Sequence, residues 1–125
     1  MYQAVAPMLL VDDVDQAIRW YEDALGAKLQ YHKPTARPLE WASLRLDDVE
    51  IMIARKQAGQ SWYSDHVVVS DTPANFIAYV YVADVDSLNE RVRGKAIVTL
   101  ELADQPYGIR EFAVQDPFGF VWVFA

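Results

Sequence analysis

The sequence predicts an α+β protein built from two copies of a βαβββ module, chiefly because one short motif occurs twice. Residues 11–15, VDDVD, return as residues 82–86, VADVD. Each copy follows an apolar run and begins a segment in which apolar residues recur at helical spacing. The chain has 125 residues, of which 53% are hydrophobic, so it can bury a substantial core. We therefore expect one domain over residues 1–125, with modules over residues 4–55 and 76–125.

The first module is expected to begin with a buried strand over residues 4–11. Pro7 belongs near the start of that strand because proline has no N–H to donate. Asp13 is suited to cap a helix over residues 14–25, and Gly26 is suited to end it. Three further strands complete the module: residues 28–31, 39–46 and 49–55.

A polar linker is expected over residues 56–75, with a short strand over residues 66–69. Trp62 and Tyr63 lie within it, where exposed aromatic side chains would indicate an interface or a flap over a ligand. The second module follows with a strand over residues 76–82 and a helix that Asp84 or Asp86 caps and Gly94 ends. Its remaining strands are expected over residues 96–102, 109–115 and 120–125. Two such modules can place their strands in a curved mixed sheet with the helices on its outer face.

Charge and composition exclude several classes of function. The formal net charge is −7 and the basic residues are scattered, which argues against a nucleic-acid partner. No apolar run approaches the ~20 residues that a membrane-spanning helix requires, so no membrane partner is expected. The sequence contains no cysteine, which excludes disulfides and thiolate chemistry and fits a cytoplasmic protein. The acidity indicates solubility in the first place, and a cationic ligand in the second.

An ordered set of motifs in both halves carries a resemblance to a known superfamily. The motifs are residues 11–14, Ala17, Trp20, Tyr21 and residues 25–26 in the first half, and residues 81–86, 107–110 and 116–119 in the second. In this order the chain resembles the vicinal oxygen chelate superfamily, which includes glyoxalase I, bleomycin-resistance proteins and extradiol dioxygenases. Residues 26–27 and 116–119 also resemble its PhnB-like branch. The resemblance implies the paired βαβββ fold and a homodimer.

Metal-dependent members of this superfamily hold a divalent metal through His and Glu side chains at four strand positions. Fitting the motifs residue by residue places those positions at Ala6, Met52, Ile77 and Val123. None of these side chains supplies the imidazole nitrogen or carboxylate oxygen that such a metal needs. We therefore expect no metal and no cofactor.

Strand alternation assigns the candidate ligand-binding face in the first module. If residues 47–48 form a two-residue turn, Arg45 pairs with Glu50 and one face of the hairpin is uniformly apolar. The other face carries Trp41, Ser43 and Met52. Arg45 and Glu50 are expected to form a cross-strand ion pair on that face, although Arg45 could instead contact a ligand.

In the second module, a four-residue turn over residues 116–119 would pair Phe112 with Val123. Tyr79 and Tyr81 are then expected on the face away from the helix. Together with Trp41, Met52 and Phe112 they would form an aromatic-walled groove, with core filling as the alternative. Arg110 belongs to a Tyr-Gly-x-Arg pattern and could be structural or could contact a ligand. The candidate ligand-binding residues are Trp41, Ser43, Met52, Tyr79, Tyr81, Arg110 and Phe112.

These observations favour a metal-free protein that binds a small aromatic or cationic molecule, similar to the sequestering bleomycin-resistance proteins. No nucleophile–base arrangement and no paired acid–base carboxylates are visible in the sequence, which favours binding over catalysis. The alternative is an enzyme, either a metal-dependent lyase or dioxygenase or a cofactor-free enzyme that uses Tyr79 or Tyr81 as a general acid. A scaffolding domain without a small ligand is a third interpretation.

Overall fold

The computed structural model describes residues 1–56 and 75–125. Within the described residues, neither helix has the length and apolar character needed to cross a membrane. Three expectations lie outside these residues: nearly all of the linker over residues 56–75, the strand over residues 66–69, and the aromatic pair Trp62 and Tyr63.

The chain divides into two compact units with the same element order. The first unit, Met1–Val69, contains β1 (Met8–Val11), α1 (Val14–Leu25), β2 (Lys28–Lys33), β3 (Trp41–Leu46) and β4 (Val49–Arg55). The second unit, Ser70–Ala125, contains β5 (Ile77–Val80), α2 (Val85–Val92), β6 (Ile97–Asp104), β7 (Arg110–Gln115) and β8 (Val121–Phe124). The described part of each unit has one four-stranded sheet, so the expected α+β class and βαβββ order are confirmed.

Helix α1 begins and ends at the predicted residues. The Asp13 carboxylate accepts a hydrogen bond from the Gln16 backbone N–H at 3.0 Å, which satisfies one of the unpaired donors of the first turn. At the other end Gly26 adopts φ 72° and its N–H donates to the Glu22 carbonyl at 3.1 Å. This left-handed conformation favours glycine because a Cβ there would be strained.

The sheet of the first unit has the order β1-β4-β3-β2, with β1 parallel to β4 and the other neighbours antiparallel. The hairpin register is as predicted, with Leu46 opposite Val49 and Arg45 opposite Glu50. Strand β1 begins at Met8, four residues later than expected. The carbonyl of Pro7, the residue just before β1, still accepts a hydrogen bond from the Met52 N–H of β4 at 2.8 Å.

The core of the first unit lies between α1 and one face of its sheet. Large aliphatic side chains there are almost completely hidden from solvent, and each contributes about 1.5–3 kcal/mol through burial. The sheet supplies Leu9, Val11, Leu44, Ile51 and Ile53, and the helix supplies Val14, Ala17, Ile18 and Tyr21. The opposite face of this sheet is therefore left for other contacts.

In the second unit the sheet order is β5-β8-β7-β6, again with a single parallel pair, β5 and β8. Of the two candidate caps for α2, the structure selects Asp84, whose carboxylate accepts from the Ser87 N–H at 3.0 Å. Asp86 instead contacts Arg110. The core side chains of this unit include Val92, Phe112, Val114, Trp122 and Phe124.

The predicted register of the last hairpin is wrong by one residue. Gln115 pairs with Val121 rather than Phe120, so Phe112 lies opposite Phe124 and not opposite Val123. The loop has five residues because the Asp116 carboxylate accepts from two backbone N–H groups inside it, those of Phe118 at 2.9 Å and Phe120 at 2.8 Å. A shift of one residue moves every side chain of a strand to the other face.

Candidate ligand-binding site

The face of the first sheet opposite α1 carries a mixture of apolar and polar side chains. The strand register shows which side chains share this face, since Met8 and Ser43 are both paired with Met52. Trp41 and Met52 are half-buried, and Ser43 is completely buried. The predicted trio Trp41, Ser43 and Met52 therefore shares one face. The residues of β1, β3 and β4 on this face are Met8, Leu10, Trp41, Ser43, Arg45, Glu50, Met52 and Ala54.

A hydrogen-bonded network crosses this face around Gln30. The Gln30 amide donates to Ser43 Oγ at 2.7 Å and to Glu50 Oε2 at 3.2 Å, and Ser43 Oγ donates to the same carboxylate oxygen at 2.5 Å. Arg45 donates to Gln30 Oε1 at 3.2 Å and to the Asp48 carbonyl at 3.0 Å. The expected Arg45–Glu50 ion pair is therefore replaced by a network through Gln30.

Sequence reasoning missed Gln30 because it assigned no face to β2. Leu29 pairs with Leu44 of the core, so strand alternation places the Gln30 side chain on the face opposite α1. A β-bulge follows, since Tyr31 rather than Gln30 pairs with Ser43, and the bulge brings Tyr31 to the same face. Nothing in the strand's composition signals this bulge.

The face of the second sheet opposite α2 carries exposed aromatic and apolar side chains. Tyr79 lies opposite Val123 in the register, and Val123 lies opposite Ala113. Tyr81 follows the end of β5, with its ring centroid 6.4 Å from that of Tyr79 and the ring planes 30° apart. The face comprises Ile77, Tyr79, Glu111, Ala113, Gln115, Val121 and Val123.

A carboxylate lies among these tyrosines. Glu111 is 1% exposed, and its Oε1 accepts a hydrogen bond from the hydroxyl of Tyr107, which lies in the turn between β6 and β7. Glu111 Oε2 is buried and has no hydrogen-bond partner among the described residues. Neither Glu111 nor Tyr107 was a predicted site residue, because their contact depends on the turn that brings Tyr107 back over β7.

The same carboxylate controls the ionisation of both neighbouring phenols. Interaction with the neighbouring Glu111 carboxylate is the main cause that raises the pKa of Tyr79, with desolvation adding to it. Hydrogen bonding to Glu111 likewise raises the pKa of Tyr107 far above its ordinary value. A phenolate beside a carboxylate is unfavourable. Both tyrosines therefore stay protonated and act as hydrogen-bond donors at neutral pH.

Two predicted site residues lie elsewhere. Phe112 is completely buried and packs against Phe124 with ring centroids 5.3 Å apart, so it does not share the face of Tyr79. Arg110 donates to Asp86 at 2.8 Å and to Asp104 at 3.5 Å, which connects β7 to the first turn of α2 and to β6. The face predicted for Phe112 depended on the incorrect hairpin register and is wrong. A ligand contact of Arg110 stays a prediction, and its ion pairs with Asp86 and Asp104 favour the structural alternative.

The residues at the four metal positions do not fit a metal ion. The register puts Met52 on the face opposite α1, and Ile77 and Val123 on the face opposite α2. With Ala6 as the fourth, the set offers one thioether and no imidazole nitrogen or carboxylate oxygen. Within residues 1–56 and 75–125, no group of three or more His, Cys, Asp or Glu side chains is arranged to hold a metal ion.

Comparison with known proteins agrees with the fold. TioX from Micromonospora sp. ML1 is 25% identical with a TM-score of 0.80, covering 98% of this chain and 97% of that one. The bleomycin-binding protein from bleomycin-producing Streptomyces verticillus, solved with copper(II)-bleomycin, is 23% identical with a TM-score of 0.70, covering 100% and 96%. A glyoxalase/bleomycin resistance protein/dioxygenase from Nocardioides is 16% identical with a TM-score of 0.73, covering 99% and 83%.

No curated protein sequence matches the chain closely enough to count as a relative. The sequence pattern of one family, in contrast, matches residues 4–124, which is nearly the whole chain. Both the paired βαβββ units and this match lead to the same assignment: the chain belongs to the glyoxalase/bleomycin resistance protein/dioxygenase superfamily.

Proposed function

We propose that this protein binds a small aromatic or cationic organic molecule and holds it without a metal, as a sequestering protein rather than an enzyme. The observation that carries the proposal is the exposed aromatic face of the second sheet. Ile77 is 69% exposed, Tyr79 48% and Tyr81 75%. Ile77 and Tyr79 lie in β5, and Tyr81 directly follows it. Contiguous exposed apolar side chains of this kind mark binding surfaces.

The chemistry of the face favours a flat ligand. Tyr79 and Tyr81 present two ring surfaces tilted by 30°, against which a planar molecule can stack. The first unit, taken by itself, presents a second surface of mixed character, with half-buried Trp41 and Met52 beside buried Ser43. A bleomycin-binding protein with the same fold was solved with its ligand, which supports binding of an organic molecule as the function.

A titration with bleomycin, with and without copper(II), and with a panel of flat aromatic compounds tests the proposal by calorimetry. Replacing Tyr79 by Ala removes a stacking contact of ~0.5–1.5 kcal/mol, so we expect Kd to rise about 2- to 10-fold. Tyr2→Ala is the matched control, because Tyr2 is fully exposed near the chain start. Failure of every compound to bind the wild type, or equal effects of both variants, would count against the proposal.

Metal analysis of the purified protein separates this proposal from the second candidate. A sequestering protein should contain no stoichiometric metal and should not gain thermal stability from Ni, Zn, Fe or Mn. Bound metal at one equivalent per chain would instead support a metal-dependent lyase or dioxygenase. The side chains at the four metal positions are the reason to expect none.

We also propose that the protein is a homodimer in the cytoplasm. Closed two-fold dimers are the commonest soluble assemblies, and members of this superfamily pair their modules across such an axis. Light scattering after size exclusion should give about twice the 14.2 kDa mass of one chain. A mass of one chain across the concentrations used for binding would contradict the dimer.

A further inference from the structure

Glu111 is a charged group that neither packing nor catalysis explains. It is 1% exposed, and among the described residues only its Oε1 has a hydrogen-bond partner, the hydroxyl of Tyr107. An unpaired buried acceptor costs about 1–3 kcal/mol, and more when it carries charge. Oε2 meets this description among the described residues. A binding group of this kind is expected where a ligand supplies the missing partner.

The described part of the chain supplies no cation for this carboxylate. Arg110, one residue away, directs its guanidinium to Asp86 and Asp104, on the side of the sheet that packs against α2. The hydroxyls of Tyr79 and Tyr107 remain protonated and neutral beside Glu111, and that of Tyr107 donates to Oε1. The negative charge is therefore hydrogen-bonded and uncompensated.

We propose that Glu111 binds the cationic nitrogen of an aromatic amidinium, guanidinium or ammonium ligand through Oε2, while the ring of that ligand stacks on Tyr79 and Tyr81. This inference rests on the proposed function and adds two points to it: the charge of the ligand and the residue that binds that charge. A planar amidinium or guanidinium matches a carboxylate well, because its N–H donors lie in the plane of the charge.

Two exposed side chains lie beside Glu111 and can move to open access to Oε2. The rings of Tyr79 and Tyr107 are 48% and 61% exposed, and their hydroxyls interact with Glu111. Exposed side chains change rotamer in picoseconds to nanoseconds, so either ring can turn without disturbing the core. Once turned, the same rings can contact the cation through their faces, which adds a cation–π interaction.

Three probes of similar size and shape test the inference: benzamidinium, benzamide and benzoate, which differ in charge and in their number of N–H donors. Each is titrated into the wild type with chemical-shift changes as the readout. We expect the Kd of benzamidinium to be about 10-fold lower than that of benzamide, and benzoate not to saturate. This comparison needs no variant, so it holds whatever a substitution does to folding.

The variant Glu111→Gln keeps the size of the side chain and removes its charge. We expect its Kd values for benzamidinium and benzamide to agree within about 2-fold. Glu101→Gln is the matched control, since Glu101 is 73% exposed and contacts only Arg93 at 3.7 Å. The control should keep the wild-type preference for the cation.

The outcomes separate this inference from the proposed function. If the wild type binds benzamidinium and benzamide equally, or if Glu111→Gln keeps the preference, the assignment of Glu111 is wrong while ligand binding stands. If bleomycin and the aromatic panel bind neither the wild type nor the control, the proposed function fails as well. A preference lost in Glu111→Gln and kept in Glu101→Gln supports the assignment.

Discussion

Replacing Asp116 by Ala should destabilise the protein through the loop that sets the register of β7 and β8. The Asp116 side chain accepts from the N–H groups of Phe118 at 2.9 Å and Phe120 at 2.8 Å, and the residue is only 3% exposed. A hydrogen bond to a charged group contributes ~1.5–3 kcal/mol. Because both donors lie in a half-buried loop that water can reach in part, we use the lower value for each. The expected loss is about 3 kcal/mol in the free energy of unfolding.

Asp116→Asn is the matched variant, because its amide oxygen still accepts both bonds while the charge is removed. We expect it to lose about half as much, ~1–1.5 kcal/mol. Chemical denaturation followed by tryptophan fluorescence measures both values, with equal slopes required for the comparison. A loss below ~0.5 kcal/mol for Asp116→Ala would refute the reasoning, since surface substitutions without a structural role give such values.

Three further predictions follow from the same structure. Ile51→Ala should cost ~2–5 kcal/mol in denaturation and Ile51→Val ~0.5–1.5, because Ile51 is completely buried beneath α1; equal losses would contradict that burial. Arg110→Gln should change the ligand Kd less than about 2-fold and the free energy of unfolding by less than ~1 kcal/mol, since the ion pairs of Arg110 are exposed. A large loss of affinity would show instead that Arg110 contacts the ligand. Ser87 hydrogen bonds lower the pKa of Asp84, and Arg110 lowers that of Asp86, below the ordinary 3.8, so their stabilisation is complete above about pH 4 and is lost as pH falls further. Acid titration of an Asp84→Asn, Asp86→Asn double variant should show a flatter loss, and an unchanged curve would contradict it.

The two hairpins show where sequence reasoning succeeds and where it fails. The turn after Leu46 has two residues, as its Asp47-Asp48 pair predicts, and the whole register from Arg45–Glu50 onward follows. The loop after Gln115 has five residues, because a side chain takes up two backbone donors within it. Backbone pairing sets the first turn, whereas a specific side-chain contact sets the second, and composition does not reveal that contact.

The candidate site divides in the same way. Trp41, Ser43, Met52 and Tyr79 lie on the faces that strand alternation predicts, since alternation needs only the strand itself. Two further features of these faces escaped prediction. Gln30 lies on a strand to which the sequence assigned no face, and the turn between β6 and β7 brings Tyr107 to Glu111.

The sequence by itself determined the α+β class, the start of α1 and the paired βαβββ order, because the repeated motif, the capping aspartate and the apolar periodicity are local properties. Only the tertiary structure decided which aspartate caps α2, which face Phe112 occupies, where Arg110 directs its charge, and that Glu111 is buried with one oxygen unpaired among the described residues. The physical reason is the distance along the chain over which each interaction acts. Capping and periodicity act over three or four residues, whereas the burial and pairing of a side chain depend on strands that are distant in sequence.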